Sequence, residues 1–425
     1  MRRRTVFAAL GGVAATLVVV LLALNLTAGE KQVHRRLQRL YSVGDPQFRR
    51  SMSMLLGPPM EDGNRVEVLV NGDRIFPSML QAIAGARHTI TFETYIYWSG
   101  DIGRRFAAAL IERARAGVKV HVLLDWIGSA KMDQGQLDAM REAGVRIERF
   151  HKPHWSHLQR LNNRTHRKLL VVDGAVGFTG GVGIADQWQG DAQDGEHWRD
   201  THFRVEGPVV AQMQAVFMDN WIKATGEVLH GEPYFPALER RGDQPAQMFS
   251  SSPTGGSASM QLMYLMAVTS ARHSIDLANS YFVPDDLAID ALVAAAQRGV
   301  RVRILVPGPK IDTELVRGAS RARWGDLLAA GIEIAEYQPT MYHCKVLVVD
   351  SLLVSVGSTN FDNRSFRIND EANLNVLHEG FARQQVAIFE ADLRRARPIT
   401  LSQWKRRPWP EKAAEQAASL VGAQL

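Results

Sequence analysis

Two hydrophobic periods alternate along this chain, and the order in which they follow one another occurs twice. An amphipathic segment over residues 76–86 runs into Arg87-His88-Thr89-Ile90-Thr91-Phe92, whose β-branched and aromatic content predicts a strand. A helical stretch follows over 102–116, then Gly117, then an apolar strand over 118–124. The second round has a helix over 262–271, the strand Arg272-His273-Ser274-Ile275-Asp276-Leu277, a helix over 287–298, Gly299 and a strand over 300–306. The match extends further. Ala143-Gly144-Val145-Arg146-Ile147 and Ala330-Gly331-Ile332-Glu333-Ile334 each read as a helix end, a glycine cap and a short strand.

Strands alternating with helices of this length predict an α/β chain of two pseudo-symmetric halves, each an α/β/α sandwich around a mixed, largely parallel sheet. The halves are expected over residues 65–226 and 248–397, with a charged, Pro- and Gly-containing linker over 227–247. Residues 30–64 lead into the first half, and 398–425 form a C-terminal tail. Ahead of them, Arg2, Arg3 and Arg4 precede an uncharged run from residue 5 to residue 29. At ~1.5 Å of rise per residue such a run crosses a bilayer core, so 1–29 is expected to be a transmembrane anchor. A cleaved signal peptide is the rival reading. The run is long for one, and its end near Leu26-Thr27-Ala28 lacks small residues at both cleavage positions. Basic residues flank the run on both sides, so charge does not orient it.

Composition narrows the partners without choosing among them. At 425 residues and 46% hydrophobic, the chain is long enough for two cores, and nothing in it reads as disordered or fibrous. A net charge of +6 favours anionic partners: nucleic acid, an acidic lipid surface or a phosphate-bearing substrate. The single cysteine, Cys344, excludes a disulfide framework and a cysteine zinc site. Only 10 of the 50 basic side chains are lysine, so the places where lysine stands are informative.

Two of those places form part of a repeated constellation. Late in the first half come His166, Lys168 and Asp173, followed by Gly180-Gly181; late in the second come His343, Lys345 and Asp350, followed by Gly357-Ser358. The spacing is the same in both copies. One such triplet arises by chance in a chain this long on the order of a few per cent of the time, and two in register far less often. Residues two apart on a strand project from one face, so each His points the same way as its Lys. Asp173 and Asp350 stand an odd number of positions away and are expected to face oppositely, as structural supports. Each imidazole also needs an acid to fix its tautomer, and Asp200 and Glu371 open equivalent strands ahead of the final helix of each half. Ser358 and Asn360 stand where the first copy has Gly181 and Gly183, so the second half is expected to supply more side-chain donors to a phosphate.

On these residues the chain resembles the phospholipase D superfamily, whose signature is the duplicated His/Lys/Asp motif with its trailing glycine pair. The resemblance covers nearly everything after residue 60. Phe92-Glu93-Thr94-Tyr95-Ile96, Ser280-Tyr281-Phe282-Val283-Pro284-Asp285 and the anchor resemble its bacterial cardiolipin synthase branch. The resemblance implies that His166 is the nucleophile that forms a phosphohistidine and His343 the acid and base. Lys168 and Lys345 would neutralise the developing charge, with no metal or cofactor. It further implies that Asp200 and Glu371 orient the rings and that Glu93 and Tyr281 line the site. The implied setting is a monomer in the bacterial inner membrane acting on an anionic phospholipid, foremost phosphatidylglycerol, to give cardiolipin and glycerol.

Three other functions are compatible with the same motifs: hydrolysis with water as acceptor, cleavage of nucleic acid, and anionic-lipid binding by an inert site. Intact His and Lys pairs argue against the last, and an anchor argues against nucleic acid as partner. Two weaker signals remain. The stretch 149–168 has six basic residues, no acid, and His151, His154 and His157 beside Trp155; it reads as a lip that attracts anionic head groups or as a solvated loop. Trp404-Lys405-Arg406-Arg407-Pro408-Trp409 mixes aromatics and cations as a lipid boundary does, and reads equally as a strap packed on the domain.

Overall fold

The computed structural model describes residues 7, 11–13, 15–20, 33–150, 152, 162–253 and 259–420. Most of the anchor segment 1–29, half of the basic stretch 149–168 and the last five residues therefore lie outside the described part. Among the described residues no helix is long and apolar enough to cross a membrane.

The first half contributes β1 (Glu61–Val70), β2 (Thr89–Thr94), β3 (Lys119–Asp125), β4 (Arg146–Phe150), β5 (Leu169–Val172), β6 (Val176–Gly180) and β7 (Thr201–Glu206). The second contributes β8 (Gln244–Ser251), β9 (Ser274–Asn279), β10 (Phe282–Val283), β11 (Arg301–Pro307), β12 (Glu333–Tyr337), β13 (Lys345–Val349), β14 (Leu353–Gly357), β15 (Phe361–Asp362), β16 (Glu371–Leu377) and β17 (Ala396–Ile399). Fifteen of these strands form one sheet in the order β17-β12-β11-β9-β13-β14-β16-β8-β1-β7-β6-β5-β2-β3-β4. Apart from the added edge strand β17, the order reads the same outward from the β8–β1 seam in either direction, so the duplication is an internal two-fold.

The sheet is less parallel than the sequence pattern predicts. Parallel pairing within it is confined to β2-β3-β4 and β9-β11-β12, where a helix links each strand to the next. Every other pair in the sheet is antiparallel. The reason is the turn after each motif strand. Asp173-Gly174 and Asp350-Ser351 are consecutive residues at positive φ, the backbone twist of a tight hairpin, so β5 and β13 fold straight back onto β6 and β14.

Elsewhere local chemistry and structure agree. Gly144 and Gly331 take φ of 95° and 82° just past their helices, where a side chain would be strained. Asp133 and Asp285 cap helix N-termini by accepting backbone N–H groups. The final helices of the two halves, Val210–Thr225 and Glu379–Leu393, lie over the centre of the sheet and share one core containing Met213, Phe217, Trp221, Phe381 and Phe389. Two further cores, one per half, and a small cluster under the helix Glu314–Ala322 hold the remaining helices.

Candidate active site

Each motif strand reaches past its own half. Just ahead of β5, Thr165 bridges Asp370; just ahead of β13, Tyr342 bridges Arg199. The His166 N–H donates to the Asp370 carbonyl (2.9 Å) and the His343 N–H to the Arg199 carbonyl (2.8 Å). The histidine of one half is thereby laid beside the acid that opens the other half's strand. His166 Nδ1 lies 3.0 Å from both oxygens of Glu371, and His343 Nδ1 lies 2.7 Å from Asp200 Oδ2. The crossing is reciprocal, and no spacing rule in the sequence announces it.

The surroundings set the ionisation. Burial alone would raise both carboxyls, yet the histidine beside each, with the hydrogen bonds it receives, holds Asp200 and Glu371 below the usual carboxylate range. A carboxylate only accepts, so each Nδ1 has the proton and each Nε2 keeps a free lone pair. Glu371 also accepts from Ser358 Oγ, Ser365 Oγ (2.7 Å) and Asn369 Nδ2 (3.3 Å). Asp200 accepts instead from the Trp188 indole (3.0 Å) and the Thr201 N–H (2.8 Å). Ser358 thus holds the acid that holds the ring, rather than standing among donors to a phosphate. Asn360 accepts from Ser280 Oγ (2.8 Å).

The lysines share this neighbourhood. Lys168 Nζ donates to the His166 carbonyl (2.7 Å). Lys345 Nζ donates to the His343 carbonyl (2.7 Å) and to Ser280 Oγ (2.6 Å), and sits 3.2 Å from both ring nitrogens of His343. Burial, then the two ammonium groups, lower His166 to about 4 and His343 to about 3. Burial and Lys345 lower Lys168 to about 7, and burial lowers Lys345 as well. Lys345 acts on His166 and Lys168 acts on His343, so the two motifs occupy one electrostatic site although they come from different halves. Two imidazoles and two ammonium groups gather here with the two carboxylates engaged behind the rings, an arrangement suited to the charge of a phosphodiester.

Aromatic rings wall the site, and motif reasoning missed them. Tyr95 stands edge-on to His166 at 5.3 Å, with the Lys168 ammonium 5.7 Å over its ring. Trp188 and Trp198 lie 5.3 and 5.5 Å from the His343 ring. Two tryptophans in the connection between β6 and β7, ahead of Asp200, were the available signal.

The other expected residues lie around this centre. Asp173 and Asp350 face away from it: each carboxylate accepts three backbone N–H groups, from Arg87, His88 and Thr89 and from Arg272, His273 and Ser274 respectively. Glu93 is fully buried under the His166 strand, accepting from Thr165 Oγ1 and Asn220 Nδ2, which separates it from the site surface. Tyr281 donates its hydroxyl to Asp312 (2.6 Å). Among the described residues no cluster of three or more His, Cys, Asp or Glu stands ready to hold a metal ion.

The family model described as "Cardiolipin synthase, PLD-like domain" matches residues 79–221 and 264–393. A cardiolipin synthase of Alkalihalophilus pseudofirmus is 36% identical over 373 residues, covering 86% of this chain and 73% of the relative. Cardiolipin synthase A of Pseudomonas fluorescens is 33% identical, covering 88% of this chain and 78% of the relative. Among solved structures, a phosphatidylserine synthase of Haemophilus influenzae shares the fold, with a TM-score of 0.65 at 12% identity over 89% of this chain and 100% of that one. A polyphosphate kinase of Porphyromonas gingivalis does so at a TM-score of 0.53 and 15% identity, over 93% of this chain and 57% of that one.

Proposed function

This chain belongs to the cardiolipin synthase family of phospholipase D-like proteins, and from that membership we propose that it transfers a phosphatidyl group from one phosphatidylglycerol to the hydroxyl of a second, through a phosphohistidine. The observation that carries the reading is the reciprocal crossing, in which Glu371 orients His166 and Asp200 orients His343.

His166 Nε2 attacks phosphorus as the bond to the departing glycerol oxygen breaks, and His343 gives that oxygen its proton. The acceptor's hydroxyl then loses its proton to His343 and attacks; the P–N bond breaks and cardiolipin leaves. Burial keeps His343 neutral, so the proton it donates is taken up from solvent as the phosphodiester binds. The phosphodiester's negative charge favours protonation of the nearby ring and restores full charge to Lys168 and Lys345, which then stabilise the equatorial oxygens. Water competes with the lipid acceptor for the same intermediate, and the aromatic walls at Tyr95, Trp188 and Trp198 limit its access.

Residues 1–29 anchor this chain in the bacterial inner membrane, where its substrate is concentrated. It acts there as a monomer, since both motifs and both acids belong to one chain.

The test is phosphoenzyme trapping with phosphatidylglycerol radiolabelled in its phosphatidyl group. Both His166→Ala and His343→Ala abolish cardiolipin formation, and an acid-labile labelled protein accumulates only in His343→Ala. Substantial turnover in both single variants would sink the mechanism. Phosphatidate as the sole product of the unmodified enzyme would replace transfer with hydrolysis.

A further inference from the structure

The last described helix, Trp409–Leu420, packs on the domain along one side only. Its inner side lies on the helix Glu314–Ala322, with Glu415 and Ala418 buried. Glu415 pairs with Arg321 and Arg407, and Glu411 also pairs with Arg321, so both acids of the helix are engaged with arginines. At helical spacing the opposite side presents Trp409, Ala413, Gln416, Ala417 and Leu420. Trp409 is 79% exposed and Leu420 80%, and with the alanines between them they lie on one side of the helix rather than scattered singly. No acid stands on this side. Lys405 and Arg406 are exposed immediately before the helix, and Lys412 is exposed along its flank.

The helix is also mounted close to the chemistry. Val283, Val316, Ala319 and Ala418 form a small apolar cluster against which Tyr281 packs. The Tyr281 hydroxyl binds Asp312, and the charge of Lys345 acts on that carboxyl.

We propose that Trp409–Leu420 is an interfacial helix that seats the site on an anionic bilayer, its Trp409/Ala413/Leu420 stripe in the head-group boundary and Lys405, Arg406 and Lys412 on lipid phosphates. An indole and an aliphatic side chain on one face, cations at the flank and acids turned inward match a lipid surface in charge and polarity. Small alanines between them give a shallow stripe without the pockets that anchor a protein partner. The proposal rests on the reading that the substrate is a bilayer phospholipid, and it names which side of the domain meets that bilayer.

The experiment uses the full chain, in which the one native thiol, Cys344, is buried. Trp409→Cys, Ala417→Cys and, as an exposed site elsewhere, Glu239→Cys are labelled with an environment-sensitive fluorophore. They are mixed with phosphatidylcholine vesicles containing phosphatidylglycerol and a nitroxide lipid. The labels at 409 and 417 shift to the blue and are quenched by the nitroxide, while that at 239 is not. Labels at 409 and 417 that behave like the one at 239, or that shift without lipid as protein concentration rises, overturn the proposal, the latter in favour of a second copy.

A second arm reads turnover. Trp409→Ser combined with Leu420→Ser lowers activity on phosphatidylglycerol vesicles roughly tenfold, through apparent KM, and leaves activity on short-chain monomeric phosphatidylglycerol unchanged. Equal loss on both substrates overturns the proposal. An unmodified enzyme inactive on both would sink the transfer reading instead, leaving the labels to judge the helix.

Discussion

The crossing between the halves is made twice, with opposite distributions of charge. At the first, the arginine belongs to the histidine strand: Arg167 donates to Asp219 on the helix Val210–Thr225 and lies 4.0 Å from Asp370. At the second, the histidine strand has Cys344 in that place. The arginine has moved to the acid's strand, where Arg199 makes a two-pronged bond to Asp392 at 3.0 and 2.8 Å. The acids differ likewise, Glu371 being held by Ser358 and Asp200 by the Trp188 indole. A serine cannot serve at the first site, because a Cβ on Gly181 would fall 2.3 Å from Asp200 Oδ1. What survived duplication is an ionised acid, a donor behind it and an imidazole in front; the residues supplying the donor and the buried charge were free to change.

The largest expected effect lies in the acids. Glu371→Gln and Asp200→Asn each lower kcat about 10³–10⁴-fold, because an amide no longer fixes the tautomer. The two losses fall on different steps: rapid-quench experiments find slow phosphoenzyme formation in Glu371→Gln and accumulated phosphoenzyme in Asp200→Asn. Identical burst behaviour in both would break the comparison.

Next comes stability. Asp392 is 7% exposed and Asp219 is 42% exposed. Asp392→Ala strands the buried Arg199 guanidinium and costs ~3–5 kcal/mol, whereas Asp219→Ala leaves Asp370 4.0 Å from the equally buried Arg167 and costs about 1 kcal/mol, both measured by urea unfolding.

A third test varies pH. Unfolded histidine protonates near pH 6.5, while buried His166 and His343 resist until about 4 and 3. Between those values the unfolded chain binds more protons. The contribution of the two rings is therefore complete above about pH 6.5 and falls as pH drops towards 4, by at most about 1.4 kcal/mol per unit for each ring. Replacing both rings by Asn flattens the urea-midpoint profile over that range.

The smallest effects separate the two donors. Trp188→Phe keeps the ring beside His343 but removes the N–H on Asp200, and Ser358→Ala removes the hydroxyl on Glu371. Each lowers kcat about tenfold, consistent with one hydrogen bond to a charged group. A larger loss for Trp188→Phe would mean that the wall matters more than the donor.

Much of this was legible because helices, caps and motif strands are local. Gly144 and Gly331, the paired His and Lys, and Asp200 and Glu371 as strand-opening acids all follow from periodicity and spacing. The crossing was not legible, because pairing Thr165 with Asp370 depends on the β8–β1 seam, a contact between strands far apart in sequence. The antiparallel majority of the sheet was half visible, since Asp173-Gly174 is a hairpin signal while Asp350-Ser351 hides the same turn behind a serine. Ser358 invited assignment as a donor to phosphate because its motif position indicates proximity to the centre without indicating which acceptor it faces.

His166 and Glu371 are 205 residues apart, and His343 and Asp200 are 143 apart. During synthesis the first half leaves the ribosome with its histidine and lysine in place and no carboxylate behind the ring. Only when the second half has folded against the first does the His166 ring acquire the carboxylate that orients it.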